Sequence, residues 1–105
     1  MSNIRMDFIK AKDILTTHKG RIKERLIAAG RTGIAIYDEK KLPEHLQEDY
    51  KYLVTKLTQE NDNVIGDGSI EQTVNGISED EAAEIAGLIM NFASDLLKTP
   101  RSEFD

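Results

Sequence analysis

The stretch that decides the fold is SEDEAAEIAGLIMNFASDLLK, Ser78 to Lys98. Ser78 and Glu81 have the spacing of a capping box, in which each side chain satisfies a backbone N–H of the first helical turn. Pro100 follows closely and cannot continue a helix. Between these signals, apolar residues recur at three- and four-residue spacing, which places them on one helix face. The members of this face are Ala82, Ile85, Ala86, Ile89, Met90, Ala93, Leu96 and Leu97. We expect the other helices to pack against it.

Three earlier segments of the chain carry the same kind of apolar pattern. Apolar residues at helical spacing predict amphipathic helices over about 4–16 and 21–29. Pro43 suits the first turn of a third helix, where its missing N–H is no loss, and the apolar stripe of that helix continues to Leu57. Tyr52 lies off this stripe, so we expect its ring to be exposed.

Between the third helix and the last one lies a polar stretch, Thr58 to Gly68, that is rich in Asn, Asp and Gly and therefore predicts a loop. Val64 and Ile65 are expected to pack against the core from within this loop. Ser69 and Gln72 then form a second capping box, which predicts a short helix that ends at Gly76.

The segment 30–37 is ambiguous. Glycines interrupt the helical pattern, and the apolar run Ile34 to Tyr37 fits either a strand or the end of a helix. A lone strand would leave its backbone hydrogen bonds unsatisfied, so we favour a kinked helix. The predicted fold is an all-α bundle of four to five helices in a single domain, 1–105, with a loose C-terminal tail over 99–105.

Composition restricts the class of protein. The chain has 105 residues, no cysteine and a net charge of −5, and charged residues make up 31% of it. Disulfides, thiol nucleophiles and thiolate metal sites are therefore excluded. No apolar run reaches the roughly 18 residues that a membrane span needs, and the N-terminus lacks a signal-peptide pattern. We expect a cytoplasmic protein that does not associate with membranes.

The charge is divided unevenly along the chain. Residues 1–31 carry +5 and residues 32–105 carry −10. The simpler interpretation is that the basic part packs across the acidic part; the alternative is a basic face for an anionic partner such as nucleic acid. The residues that could form this face are Lys10, Lys12, Lys19, Arg21, Lys23, Arg25 and Arg31.

Small side chains on the last helix are a second candidate site. Ala83, Gly87 and Ser94 would let another helix approach closely. Gly87 is the most informative, because a glycine inside a helix is destabilising unless a close contact compensates for it. The neighbour is expected to be a helix of the same chain, with a second copy of the chain as the alternative.

Metal and catalytic motifs are weak. Asp67-Gly68-Ser69-Ile70 resembles part of a calcium loop, but that register puts Ile65 and Val74 where oxygen ligands are required. The two histidines, His18 and His45, lack the spacing of a zinc site. Carboxylate pairs lie beside polar residues, whereas acid–base chemistry needs a desolvated carboxyl group. We predict no metal, no cofactor and no enzymatic activity.

These observations favour a small non-enzymatic module, a regulatory or adaptor protein, that binds another protein through a helical surface, with a second copy of itself as one candidate partner. The alternative is a nucleic-acid-associated regulator that uses the basic N-terminal helices.

Overall fold

The structure, a computed structural model, describes residues 3–58 and 67–99, with only the backbone described at 67–69. Within these ranges the chain forms five α-helices, one short 3-10 helix and no strand, which confirms the predicted all-α bundle. The helices are α1 (Ile4–Thr17), α2 (Ile22–Gly30), α3 (Glu44–Thr58), α4 (Asp67–Gly76) and α5 (Glu79–Lys98), and the 3-10 helix is Glu39–Lys41.

Helix α5 is the centre of the bundle, as predicted, because α1, α2 and α3 all pack against it. The hydroxyl of Ser78 accepts a hydrogen bond from the Glu81 N–H at 3.1 Å, so Ser78 is the N-cap. The predicted buried face is wrong at one edge: Leu97 is 41% exposed, and Phe92, which the pattern omitted, is 3% exposed. With 3.6 residues per turn, Leu97 lies about 80° from the middle of the buried arc, whereas Phe92 lies within that arc.

Helices α1 and α2 are antiparallel neighbours joined by a short turn. The Asn3 side chain caps α1 by accepting hydrogen bonds from the N–H groups of Arg5 and Met6 at 2.9 and 3.3 Å. The turn between the helices includes Gly20, whose φ of +120° suits a residue without a Cβ. Both helices end close to where the apolar spacing predicts.

The kinked helix expected over 30–37 is wrong. Helix α2 ends at Gly30, and residues 31–35 form turns in which Gly33 has a φ of +99°. The Thr32 hydroxyl donates to the Ala29 carbonyl at 2.8 Å, which satisfies a carbonyl at the end of the helix. A side chain from elsewhere in the chain holds these turns: the Tyr50 hydroxyl donates to the Ile34 carbonyl at 2.7 Å.

Three aromatic rings join α1, α3 and α5 at the core. The centroid of Phe92 lies 4.9 Å from that of Phe8 and 5.6 Å from that of Tyr50, and Phe8 meets Tyr50 edge-on at 6.4 Å. All three rings are buried. Offset and edge-on pairs of this kind stabilise a core beyond the area that they bury.

Helix α4 begins at Asp67, three residues before the start at Ile70 that a Ser69 N-cap would give, so the predicted capping box is wrong and Ser69 lies inside the first turn. Ile70, Val74 and Ile77 are buried, as the pattern indicated. The predicted loop positions of Val64 and Ile65 lie outside the described residues. None of the described helices has the length and apolar content that crossing a bilayer requires.

The predicted C-terminal tail is described only at its first residue. Thr99 is 5% exposed, and its hydroxyl donates to the Asp95 carbonyl at 2.9 Å. Thr99 therefore completes the last turn of α5. Residues 100–105 lie outside the described residues.

Candidate protein-binding groove

One depression in the described surface is a groove between α3 and α5 with a volume of about 230 Å³. Its floor is apolar, and its edges carry carboxylates and an amide. The lining residues are Asp49, Tyr52, Leu53, Leu88, Asn91, Phe92 and Asp95. Leu53 and Phe92 are core residues whose edges form the floor, whereas Tyr52 is 49% exposed, as the sequence predicts.

A second, smaller depression between the same two helices shares Leu88 with the first and extends the groove. Lys56 of α3 and Glu81, Glu84 and Ile85 of α5 line this second part together with Leu88. Asp49 comes before Lys56 on α3. The residues that line the groove beside them come in the reverse order on α5, because Asp95 lies with Asp49 and Glu84 lies with Lys56. The two helices therefore run antiparallel along the groove. At a rise of about 1.5 Å per residue, the distance from Glu81 to Asp95 is about 21 Å, or roughly four helical turns.

Charge along the groove, which we define as both parts together, is predominantly negative. Its four carboxylates are Asp49, Asp95, Glu81 and Glu84, and all four residues are exposed. Lys56 is the cation of this lining, and its ammonium lies 5.6 Å from the centroid of the Tyr52 ring, within cation–π range. The apolar middle of the groove thus lies between two acidic ends.

The predicted basic face is divided by the fold. Three of its residues are engaged within the chain. Arg25 donates to the Leu15 carbonyl at 2.8 Å and so satisfies the C-terminal end of α1. Arg31 forms an ion pair with Glu71 at 2.5 Å, and the Lys23 ammonium lies 3.5 Å from the Asn75 carbonyl oxygen.

The remaining basic residues do not form one face either. Lys10 and Lys12 are two residues apart on α1 and therefore point about 160° away from each other. Lys10 is exposed and Lys12 is partly buried. Lys19 and Arg21 are both exposed in the turn between α1 and α2. An anionic partner at these last two residues stays a prediction.

The predicted close-packing face lies on the other flank of α5. Ala83, Gly87 and Ser94 lie roughly 100–140° around the helix from Leu88, so they are separate from the groove. A Cβ placed on Gly87 would have no atom of the described residues within 4 Å, leaving aside the backbone of its own helix. The expected neighbouring helix is therefore missing from the described part of the chain, and a dimer through this face stays a prediction.

The described side chains that could bind a metal are dispersed: in 3–58 and 67–99, no three His, Asp or Glu residues come together. Among the described residues, Tyr50 has a clearly perturbed pKa. Burial raises the pKa of its hydroxyl to about 12, although the hydrogen bond from the Tyr37 N–H opposes the shift. That hydroxyl also donates to the Ile34 carbonyl at 2.7 Å, so its hydrogen bonds hold the turns after α2.

Sequence reasoning found Tyr52 but missed the rest of the groove. Leu88, Asn91 and Asp95 recur at three- and four-residue spacing and so share one flank of α5, which is a detectable signal. What the pattern could not indicate is that α3 lies beside this flank. No family model matches the chain, and comparison with curated proteins and with solved structures found no match.

Proposed function

We propose that this chain is a non-enzymatic, cytoplasmic protein-binding module, and that the groove between α3 and α5 is where its partner docks. The observation that carries the proposal is the accessible apolar surface of Tyr52 and Leu88, which line the groove above its buried floor. Tyr52 and Leu88 lie between two helices that the aromatic core holds together. Burial of such apolar surface by a partner is favourable, and exposed tyrosines contribute strongly to protein interfaces.

The size and chemistry of the groove support a protein rather than a small substrate. Its volume of about 230 Å³ is below the roughly 300–1,000 Å³ of typical ligand pockets, and it is open along one side. Asp49 and Asp95, the carboxylates nearest its floor, are both exposed to water. A carboxyl group that acts as a general acid normally needs a desolvated setting.

The experiment is affinity capture from native lysate, one half treated with nuclease and the other untreated, with wild-type protein beside Leu88→Glu, Tyr52→Ala and Ala83→Glu. Leu88→Glu and Tyr52→Ala alter the groove, whereas Ala83→Glu adds the same charge as Leu88→Glu on the opposite flank of α5. Because Leu88 partly packs against the core, Tyr52→Ala serves as the milder groove variant. Circular dichroism and urea unfolding establish that each variant is folded.

The proposal requires a stoichiometric protein partner that is lost with both groove variants and retained with Ala83→Glu. Calorimetry then measures the affinity of the purified partner for the wild-type protein and for each variant. A partner that binds all four proteins equally would place the interface elsewhere. Loss of binding after nuclease treatment would instead favour the nucleic-acid alternative through Lys19 and Arg21.

A further inference from the structure

We propose that the partner segment in the groove is a basic amphipathic helix of about four turns, with Lys or Arg at both ends and apolar residues between them. This inference rests on the proposed protein-binding function and specifies the chemistry of the partner. The charge, the length and the backbone of the groove each support this partner chemistry.

Charge complementarity gives the sign of the partner. The two ends of the groove carry Asp49 with Asp95, and Glu81 with Glu84. Against these four carboxylates the lining has one cation, Lys56, which lies near the Tyr52 ring. Complementary potentials guide partners together and exclude like-charged ones, so a basic segment is favoured over an acidic one.

The backbone of the groove favours a helix over an extended strand. An extended peptide gains much of its affinity by hydrogen bonding to the exposed edge of a sheet. The middle of this groove is formed by the helices α3 and α5, whose backbone N–H and C=O groups are already paired within each helix. A helix, by contrast, needs only side-chain contacts, and it can lay an apolar stripe along the groove.

Length sets the spacing of charges on the partner. The acidic ends of the groove are about 16–21 Å apart, which corresponds to 11–14 residues of helix. Basic residues at i and i+11 or i+14 lie on nearly the same face, since both intervals are close to whole numbers of turns. Apolar residues at i+4 and i+7 of that face would contact Leu88 and Tyr52.

A second copy of this chain is a poorer occupant. In the described chain Lys23, Arg25 and Arg31 are engaged with other groups, and Lys19 and Arg21 lie in a turn rather than on a helix. Helix α2 and the turn before it therefore do not present a free basic stripe of the required length.

The test uses three synthetic peptides of about four turns each: an amphipathic helix with lysines at both ends, its twin with glutamate in place of lysine, and a scrambled version of the first. Each is titrated into the full-length isotope-labelled protein by NMR, and affinity is measured by fluorescence anisotropy. The lysine peptide is expected to shift the amide signals of Tyr52, Leu88 and Asn91 and to bind more weakly as salt rises.

The matched variants separate local charge from net charge. Asp49→Asn with Asp95→Asn removes two carboxylates from the groove, and Asp13→Asn with Glu24→Gln removes two exposed carboxylates from α1 and α2. The first pair is expected to weaken the lysine peptide between about twofold and thirtyfold, as loss of two exposed ion pairs implies. The second pair should leave affinity within about twofold of wild type.

Three outcomes would overturn the inference. If the glutamate peptide or the scrambled peptide binds as well as the lysine peptide and shifts the groove signals, the groove binds proteins of other chemistry, and only the proposed function survives. If no peptide shifts Tyr52 and Leu88, the inference fails, and the lysate capture decides the proposed function separately. If sedimentation shows a dimer that Leu88→Glu dissociates, the occupant is a second copy of the chain.

Discussion

Gly30 at the end of α2 lies directly against Ile70 of α4. A Cβ placed on Gly30 would be 2.8 Å from the Cγ2 of Ile70, which is closer than side chains normally approach. Ile70 is itself buried, and its β-branched side chain has few alternative rotamers. The absence of a side chain at residue 30 is therefore what allows α2 and α4 to pack at this distance.

Gly30→Ala is expected to destabilise the protein by about 1–3 kcal/mol, because an added methyl group in a packed contact displaces its neighbours. Gly87→Ala is the matched control: the same methyl group meets open space, and alanine is about 1 kcal/mol more favourable than glycine inside a helix. Urea unfolding of both variants measures the free energies. A Gly30→Ala protein as stable as wild type would contradict this account of the contact.

The two glycines also indicate where sequence patterns stop being informative. Gly87 is inside a strong helix pattern, so the sequence marks it as unusual, yet in the described structure its side is open. Gly30 falls in the segment where the sequence favours a kinked helix, and the sequence does not reveal that α4 passes beside it. Helix limits follow from local signals such as the Ser78 cap, which is why five helices were predictable and their neighbours were not.

The groove illustrates the same limit. Exposure of Tyr52 was predictable, because the ring lies off the apolar stripe of α3. Pairing of that ring with Leu88 depends on how α3 and α5 meet around Phe92, which is a property of the packed core. Likewise, the pattern of α2 assigns Arg25 to solvent, whereas its contact with Leu15 arises from the geometry of the turn between α1 and α2.

Tyr50→Phe is expected to destabilise the fold by about 1–3 kcal/mol and to loosen the turns after α2. The change removes the bond that the hydroxyl donates to the Ile34 carbonyl at 2.7 Å and the bond it accepts from the Tyr37 N–H at 3.0 Å. Buried polar groups that lose their partners are costly. Urea unfolding gives the free energy, and faster hydrogen exchange at the Tyr37 amide would locate the effect. Unchanged exchange there would show that the turns hold without Tyr50.

The stability advantage of wild type over Tyr50→Phe is expected to shrink at alkaline pH. The pKa of Tyr50 is about 12 in the folded protein, against an ordinary value of 10.0, so the folded state holds its proton more tightly than the unfolded state. The contribution is complete below pH 10.0 and declines towards pH 12, at roughly 1 kcal/mol per pH unit. Unfolding free energies of both proteins, from neutral pH to about pH 11, measure this decline. Tyr52→Phe, at an exposed ring, is the control, and a constant difference between wild type and Tyr50→Phe would refute the assignment.

Arg25→Met is expected to lower stability by about 1–3 kcal/mol, whereas Arg21→Met, at an exposed residue nearby, should stay within about 0.5 kcal/mol of wild type. Arg25 donates to the Leu15 carbonyl at the C-terminal end of α1, where a positive charge also interacts favourably with the helix dipole. Thermal and urea unfolding of the two variants provide the comparison. The result bears on nucleic-acid binding as well, because a charge reversal at Arg25 would impair folding and so imitate a lost binding site. Lys19→Glu with Arg21→Glu tests that alternative cleanly, since both residues are exposed. If Arg25→Met and Arg21→Met are equally stable, the contact of Arg25 with Leu15 does not stabilise the fold, and Arg25 is a free surface cation.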